Sequence, residues 1–479
     1  MAITRIIYWL GNTFIIFAAL LGFTSFLILF LSDHKSSFIF FILSMIVLTV
    51  GSILKLLTHN TSNRDGNSEA LLFLLLFWVF VPILGSLPYI ALGASNSFIS
   101  AYFESVSAFT TTGASSLITD DLSQVIILWR SILQWFGGVC AATFAIVILA
   151  ALNLFGTGIH KSKLFTLEKG KLFLKILTIG RIVAFIYFLI TLFSVLFMVF
   201  SGSNVFDSLC LSLSGISSGG LMPKSGPLDI YVNQVGVSVL SVACLIGAMN
   251  IAVLHDCFRL KNTKAFFSLL KNVEHKALIA FVSILFFIGV IYSSFGSVFV
   301  ILIESIFFIS TTGFNYAIDG LENIPVAILI SLSLIGGSAL STAGGLKIIR
   351  ILLLFRHLGT DMNRLSHPSR ILPVLFRGQH IPDRSFLSIW MYFFGYTIFF
   401  GISICLLGAS GLTFDSAVML GAASISNFGP LMQYIPIESG FSMNDLTEQQ
   451  KVISSFFMIS GRVEVLAVLI LFTPSFWRQ

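Results

Sequence analysis

Of 479 residues, 56% are hydrophobic and 10% charged, with a mean hydropathy of +0.98. A water-soluble fold of this size cannot bury that much apolar surface, so lipid must solvate most of the chain. The net charge of +6 sits in runs directly beside apolar spans, which argues against nucleic-acid binding and for the cytoplasmic loops of a membrane protein.

The first apolar stretch, near residues 4–31, is too long for a cleavable signal and lacks a small-residue cleavage site, so it reads as a retained helix. A second span near 37–58 completes a unit at 1–65. A pattern then recurs four times: a long span, a short apolar run, a Ser/Thr/Gly motif and a second span. The units fall at 66–165, 166–265, 266–380 and 381–479. The expected fold is an all-α polytopic membrane protein: four pseudo-symmetric span–pore helix–filter–span repeats around one pore, plus two extra N-terminal transmembrane helices.

Charge orients the repeats. Basic runs lie between units: Lys161, Lys163, Lys169, Lys171, Lys175 and Arg181; Arg259, Lys261, Lys264, Lys271 and Lys276; then Lys347, Arg350, Arg356, Arg364, Arg370, Arg377 and Arg384. Acids mark the opposite side: Asp120 and Asp121, Asp207 and Asp229, Asp319 and Glu322, Glu438 and Asp445. With basic loops inside, each unit crosses the membrane twice, and its motif enters and leaves on the outer side. The short apolar runs at 98–110, 204–216, 298–310 and 413–426 are about half a bilayer long as helices.

The first and third motifs align closely, both opening on Glu-Ser (Glu104-Ser105, Glu304-Ser305) and closing on Thr-Thr-Gly (Thr111-Thr112-Gly113, Thr311-Thr312-Gly313). Ser212–Gly220 is a weaker copy and Ala422–Pro430 the weakest. Non-helical backbone at membrane depth is tolerated where it is buried or lines water, and rings of carbonyls can replace a monovalent cation's hydration shell. The alternative is close helix packing through small residues, which four copies at similar spacing disfavour.

In the third repeat, the segment 323–358 is too long for one straight crossing. Its centre carries Gly336, Gly337, Gly344 and Gly345, which disfavour continuous helix. It forms either a loop across the pore at 336–345 or a kink packed on a neighbour. Arg462 lies in an apolar span, as a functional charge or as half of a buried ion pair. Glu464 is not its obvious partner, because positions i and i+2 face apart on a helix. Lys347 and Arg462 lie at nearly equal distances past their motif glycines, which predicts that loop and arginine meet at one level. Arg130 reads as a helix anchor or a snorkelling side chain. Cys140, Cys210, Cys244, Cys257 and Cys405 show no metal-ligand spacing and read as small buried apolar residues. The eight histidines fall at or near span ends and loops, which disfavours a membrane-embedded enzyme, and the outer-side hairpins disfavour an alternating-access carrier with a midplane site.

Several segments together resemble the Trk/Ktr/HKT superfamily of potassium transporters, and most closely its bacterial TrkH branch. These are Ser107–Ala114, Trp129–Gly138, Ser310–Phe314, Gly344–Lys347 and Leu471–Arg478. The resemblance implies a channel-like potassium uptake protein of the bacterial cytoplasmic (inner) membrane. It implies filter carbonyls from Thr111, Thr112 and Gly113; Ser217, Ser218 and Gly219; Thr311, Thr312 and Gly313; and Asn427, Phe428 and Gly429. Glycine in all four repeats goes with potassium selectivity in that family. It further implies that 336–345 is an intramembrane gate and that Arg462 limits ion flow below the filter. The implied partners are a second copy of the chain and a TrkA-type cytosolic nucleotide-binding regulatory subunit. With no GxGxxG or P-loop motif, this chain is expected to bind no nucleotide or other cofactor itself, with potassium as the transported ion.

Overall fold

The computed structural model describes residues 3–58, 67–151, 172–260, 272–292, 297–317, 320–321, 323–367, 375–376, 379–380, 383–434, 442–463 and 474. Helices Ile3–Leu29 and His34–Leu57 form an antiparallel hairpin. Ser25 and Ser37 exchange hydrogen bonds across it, and Ser44 donates to the Ala18 carbonyl, as small polar residues do where membrane helices touch. Phe17 and Phe40 of this hairpin meet the Trp129 ring edge-on, at 5.9 and 5.3 Å. That contact fastens the two extra helices to the first repeat.

Four units follow. Each has a first span: Asn67–Ala91, Leu172–Phe200, Val273–Tyr292 and Asp383–Ala409. Each then has a 12-residue helix: Phe98–Phe109, Val205–Ile216, Val298–Ile309 and Phe414–Ile425. At 1.5 Å per residue these are about 18 Å long, roughly half of a bilayer core. The second spans begin at Gln124, Gln234, Val326 and Glu448. Seven described helices are long and apolar enough to cross a membrane, and their outward faces carry exposed apolar side chains such as Phe23, Phe193, Phe287 and Phe394. Leu375–Phe376 and Gln379–His380 pair as a minute antiparallel ribbon.

Packing closes the units into a ring. The second span of each repeat lies against the short helix of the next: Gln124–Ala151 on Val205–Ile216, Gln234–Ala248 on Val298–Ile309, and Val326–Ser333 on Phe414–Ile425. Glu448–Val463 closes the circle on Phe98–Phe109. Four short helices are thereby held around one axis.

Two second spans are broken. In the third repeat, helix stops at Ser333 and resumes at Ile348. The glycine-rich centre is therefore a loop and not a kink. The second repeat differs from the sequence expectation. Its second span bends by 105° between Gln234–Ala248 and the following helix. Asn250 restarts the chain there as a cap, its Oδ1 accepting from the Ala252 amide at 3.1 Å.

Candidate ion-conducting site

All four short helices end in the same way. A hydroxyl on the residue after the helix donates back to a helix carbonyl: Thr110 to Val106, Ser217 to Leu213, Ser310 to Phe307 and Ser426 to Ala422. The next residue is left-handed in every repeat: Thr111 (φ 55°), Ser218 (φ 53°), Thr311 (φ 57°) and Asn427 (φ 51°). Non-glycine residues avoid this region, so four equivalent examples mark one repeated backbone device. It turns the chain back at membrane depth, where irregular backbone must be buried or line water.

This device corrects the register expected for the second repeat. Counting from the end of each short helix, Ser217 is the counterpart of Thr110, and the segment equivalent to Thr111-Thr112-Gly113 is Ser218-Gly219-Gly220. Gly220, at φ 77°, then matches Gly113 at 78° and Gly313 at 67°. The backbone agrees, since Gly219 N donates to Ser214 O as Thr112 N does to Ser107 O. The second repeat holds two serines followed by two glycines, so composition alone leaves its register open.

The four glycines sit where the segments touch. A Cβ on Gly113 would overlap the Gly219 carbonyl, and one on Gly220 the Thr312 carbonyl. One on Gly313 would strike the Phe428 ring and Pro430, and one on Gly429 the backbone of Gly113 and Ala114. Each segment thus abuts the next in cyclic order, with no room for a side chain at the contact. Gly429 N also donates to Thr112 O at 2.7 Å.

A shell of buried polar side chains fixes the ring. Glu104 accepts from Ser116 N at 2.6 Å and from the Ser115 hydroxyl at 2.9 Å. Glu304 accepts from Tyr316 N at 2.9 Å and Ala317 N at 3.2 Å. In both repeats a carboxylate on the short helix therefore clamps the chain that follows the Thr-Thr-Gly segment. Gln134 donates to Gly219 O at 2.8 Å, Asn427 to Thr112 Oγ1 at 3.0 Å and Met458 O at 2.8 Å, and Tyr434 to Phe314 O at 2.9 Å. Arg130 is 1% exposed and does not snorkel. Its Nη2 donates to Met222 O at 2.5 Å, so the second span of repeat one holds the outgoing strand of repeat two.

On the outer side lies a cavity of about 410 Å³, lined by Gly113, Gly220, Gly429 and their outgoing strands. Lys224 at its rim is paired to Asp207 at 2.6 Å. On the other side the loop of repeat three presses against the ends of the short helices and the segments that follow them. Gly344 N donates to the Thr311 hydroxyl at 3.0 Å, and the Thr342 hydroxyl lies 3.3 Å from Ile216 O. A Cβ on Gly344 would overlap Ser426 O, and one on Gly336 would overlap Gly344 O across the loop's stem. There Ile335 and Leu346 bridge in parallel. Gly337 packs on Ala343 and Ser341, and Gly345 takes a φ of 66°. Lys347 turns inward, its Nζ donating to the Ala343 and Ser341 carbonyls.

Arg462 meets the loop. It lines a cavity of only about 30 Å³ with Ser341, Gly344, Gly345 and Lys347, and its Nη2 donates to Thr111 Oγ1 at 2.5 Å. No ion pair of Arg462 occurs among the described residues; Glu464 and the segment 471–473 lie outside them. Loop, arginine and the starts of all four glycine-bearing segments thus converge on one level. Sequence reasoning missed Gln134 and the inward-facing role of Arg130 in this assembly. A polar or charged residue in the middle of an apolar run was the available sign.

The cation transport protein family TrkH matches residues 34–311 and 303–479 of this chain. The Trk system potassium uptake protein TrkH of Escherichia coli (strain K12) is 28% identical over 445 residues, covering 91% of each chain. That of Vibrio parahaemolyticus is 30% identical over 440 residues, covering 88% of this chain and 87% of the relative. TrkG of Escherichia coli is 29% identical over 465 residues, covering 93% of each. The crystal structure of the potassium transporter TrkH from Vibrio parahaemolyticus superposes with a TM-score of 0.87 at 27% identity, covering 100% of both chains.

Proposed function

The chain belongs to the TrkH family of cation transport proteins, and we propose that it takes up potassium across the bacterial cytoplasmic membrane through the ring of four filter segments. The observation that carries this reading is the cyclic contact of Gly113, Gly220, Gly313 and Gly429 with their neighbours, each two residues after a left-handed residue. Backbone held so closely on an axis offers carbonyl oxygens in place of water, and that exchange is how a pore passes a monovalent cation without a large dehydration barrier. The C-terminal ends of the four short helices add negative dipole potential at the same place.

The ion enters from the outer vestibule, sheds water at the ring and meets the loop and Arg462 below it. Here the loop is the gate: Gly344 and Thr342 stand against the filter's foot, and a fixed guanidinium raises the barrier for a passing cation. Opening is driven from the cytoplasm by a TrkA-type nucleotide-binding subunit docked on the basic loops, with the pore chain present as a homodimer. The relatives' names place them in a potassium uptake system, and this reading extends that role to the chain.

Ion flux into liposomes loaded with defined potassium and sodium gradients tests the proposal. Purified protein should carry potassium in strong preference to sodium, and addition of the cytosolic subunit should raise the flux. Equal permeation of both ions would overturn the filter reading.

A further inference from the structure

The bend in repeat two and the loop in repeat three are one joint. Breaking the helix after Ala248 frees backbone groups that the loop then takes up. Ser338 N donates to Ala248 O at 3.1 Å, Thr342 N to Gly247 O at 3.4 Å, and Ile251 N to Leu340 O at 3.3 Å. Buried backbone groups need such partners, so the bend holds only while the loop lies against it.

Glu274 sits at the centre of this joint, 0% exposed at the start of the first span of repeat three. Its Oε2 accepts from Ala339 N at 3.0 Å, and both oxygens lie 3.3–3.4 Å from Asn250 Nδ2. The adjacent His275 Nε2 accepts from Asn250 N at 3.1 Å. Neighbouring side chains of one helix therefore hold the bend and the loop together. We propose that Glu274 is the positioning residue that holds the gate loop in its occluding place, by gripping the Ala339 amide on one side and the Asn250 elbow on the other. This rests on the reading of that loop as the gate.

Ala339 also offers a clean test. Ser341 N donates to Ser338 O at 3.2 Å, so Ala339 is the second residue of a four-residue turn, a position that suits proline. Ala339→Pro removes the amide that Glu274 grips and leaves Glu274 in place. Glu274→Gln keeps the shape and replaces one acceptor oxygen with a donor group. Either change should raise potassium flux in liposomes without the cytosolic subunit about fivefold, the population shift expected from loss of one buried hydrogen bond. The sodium/potassium ratio should stay fixed. In a background with residues 338–342 deleted, Glu274→Gln should have no further effect.

If the deletion itself does not raise flux, the gate reading fails. If the deletion raises flux but both point variants, folded by their melting curves, leave it at the wild-type level, the clamp fails and the gate stands. A Glu274→Gln increase that persists in the deletion background also overturns the clamp. Should Glu274→Gln not fold, Ala339→Pro alone decides.

Discussion

Arg462 reaches up from the last described helix and donates a 2.5 Å hydrogen bond to the hydroxyl of Thr111, the left-handed residue at the foot of the first filter segment. If the segment lines the pore as proposed, a charge tied to it in this way lies beside an ion leaving it. A unit charge about 8 Å from a cation, at an effective dielectric of about 20, costs about 2 kcal/mol.

Arg462→Ala is therefore expected to raise potassium flux per folded molecule about thirtyfold, since each 1.36 kcal/mol off a barrier is a factor of ten. The sodium/potassium ratio should stay nearly constant, because the glycine contacts are untouched. Lower flux together with a lower detergent melting temperature would show that the arginine holds helices together and does not obstruct ions.

Gly113→Ser is expected to weaken discrimination against sodium. The new Cβ must displace the Gly219 carbonyl, and at φ 78° serine adds backbone strain of order 1–3 kcal/mol. The sodium/potassium permeability ratio in liposomes should rise. An unchanged ratio at normal expression would remove the first segment from the filter.

Glu304→Gln should loosen the strand leaving the third filter segment. Glu304 is 1% exposed and holds two amides through one oxygen. Weakening those charge-assisted bonds should cost about 1–3 kcal/mol. Thermal unfolding in detergent should shift down, with a rise in sodium permeability. If both measurements match wild type, the carboxylate does not organise the filter.

Much of this architecture was legible because each short helix is punctuated chemically. Runs expected at 98–110, 204–216, 298–310 and 413–426 are helices at Phe98–Phe109, Val205–Ile216, Val298–Ile309 and Phe414–Ile425. Each is followed by a hydroxyl residue that caps it, although the left-handed residue after that cap is a threonine in two of the four repeats and carries no such signal. The loop of repeat three was legible for a similar reason, since four glycines in ten residues resist helix. The bend at Asn250 was not. The sequence offered only a second span for the unit 166–265, and what breaks that span is tertiary: the loop supplies partners for Gly247, Ala248 and Ile251, and Glu274 for the Asn250 side chain. Arg130 was misread because the group that rewards its burial, the Met222 carbonyl, lies in another repeat.

The second repeat allows a sharper discrimination. The family resemblance implied Gly219 as its filter glycine, whereas the backbone makes Gly220 the counterpart of Gly113, Gly313 and Gly429. Gly220 has a φ of 77°, and a Cβ there would overlap the Thr312 carbonyl and crowd Pro430. Gly219 occupies the place held by Thr112, Thr312 and Phe428 in the other repeats, all of which carry side chains. The nearest atoms to a Cβ on Gly219 would be those of the Gln134 side-chain amide, which can rotate away at the cost of its bond to Gly219 O. Net hydrogen bonds of this kind contribute roughly 1 kcal/mol, less than forcing an L-residue into a left-handed turn against a neighbouring carbonyl. Gly220→Ala should therefore raise the sodium/potassium permeability ratio as Gly113→Ser does, and Gly219→Ala should change it less. Both ratios come from the same liposome assay, normalised to folded protein. A larger effect at Gly219 than at Gly220 would return the filter to the register that the family resemblance implied.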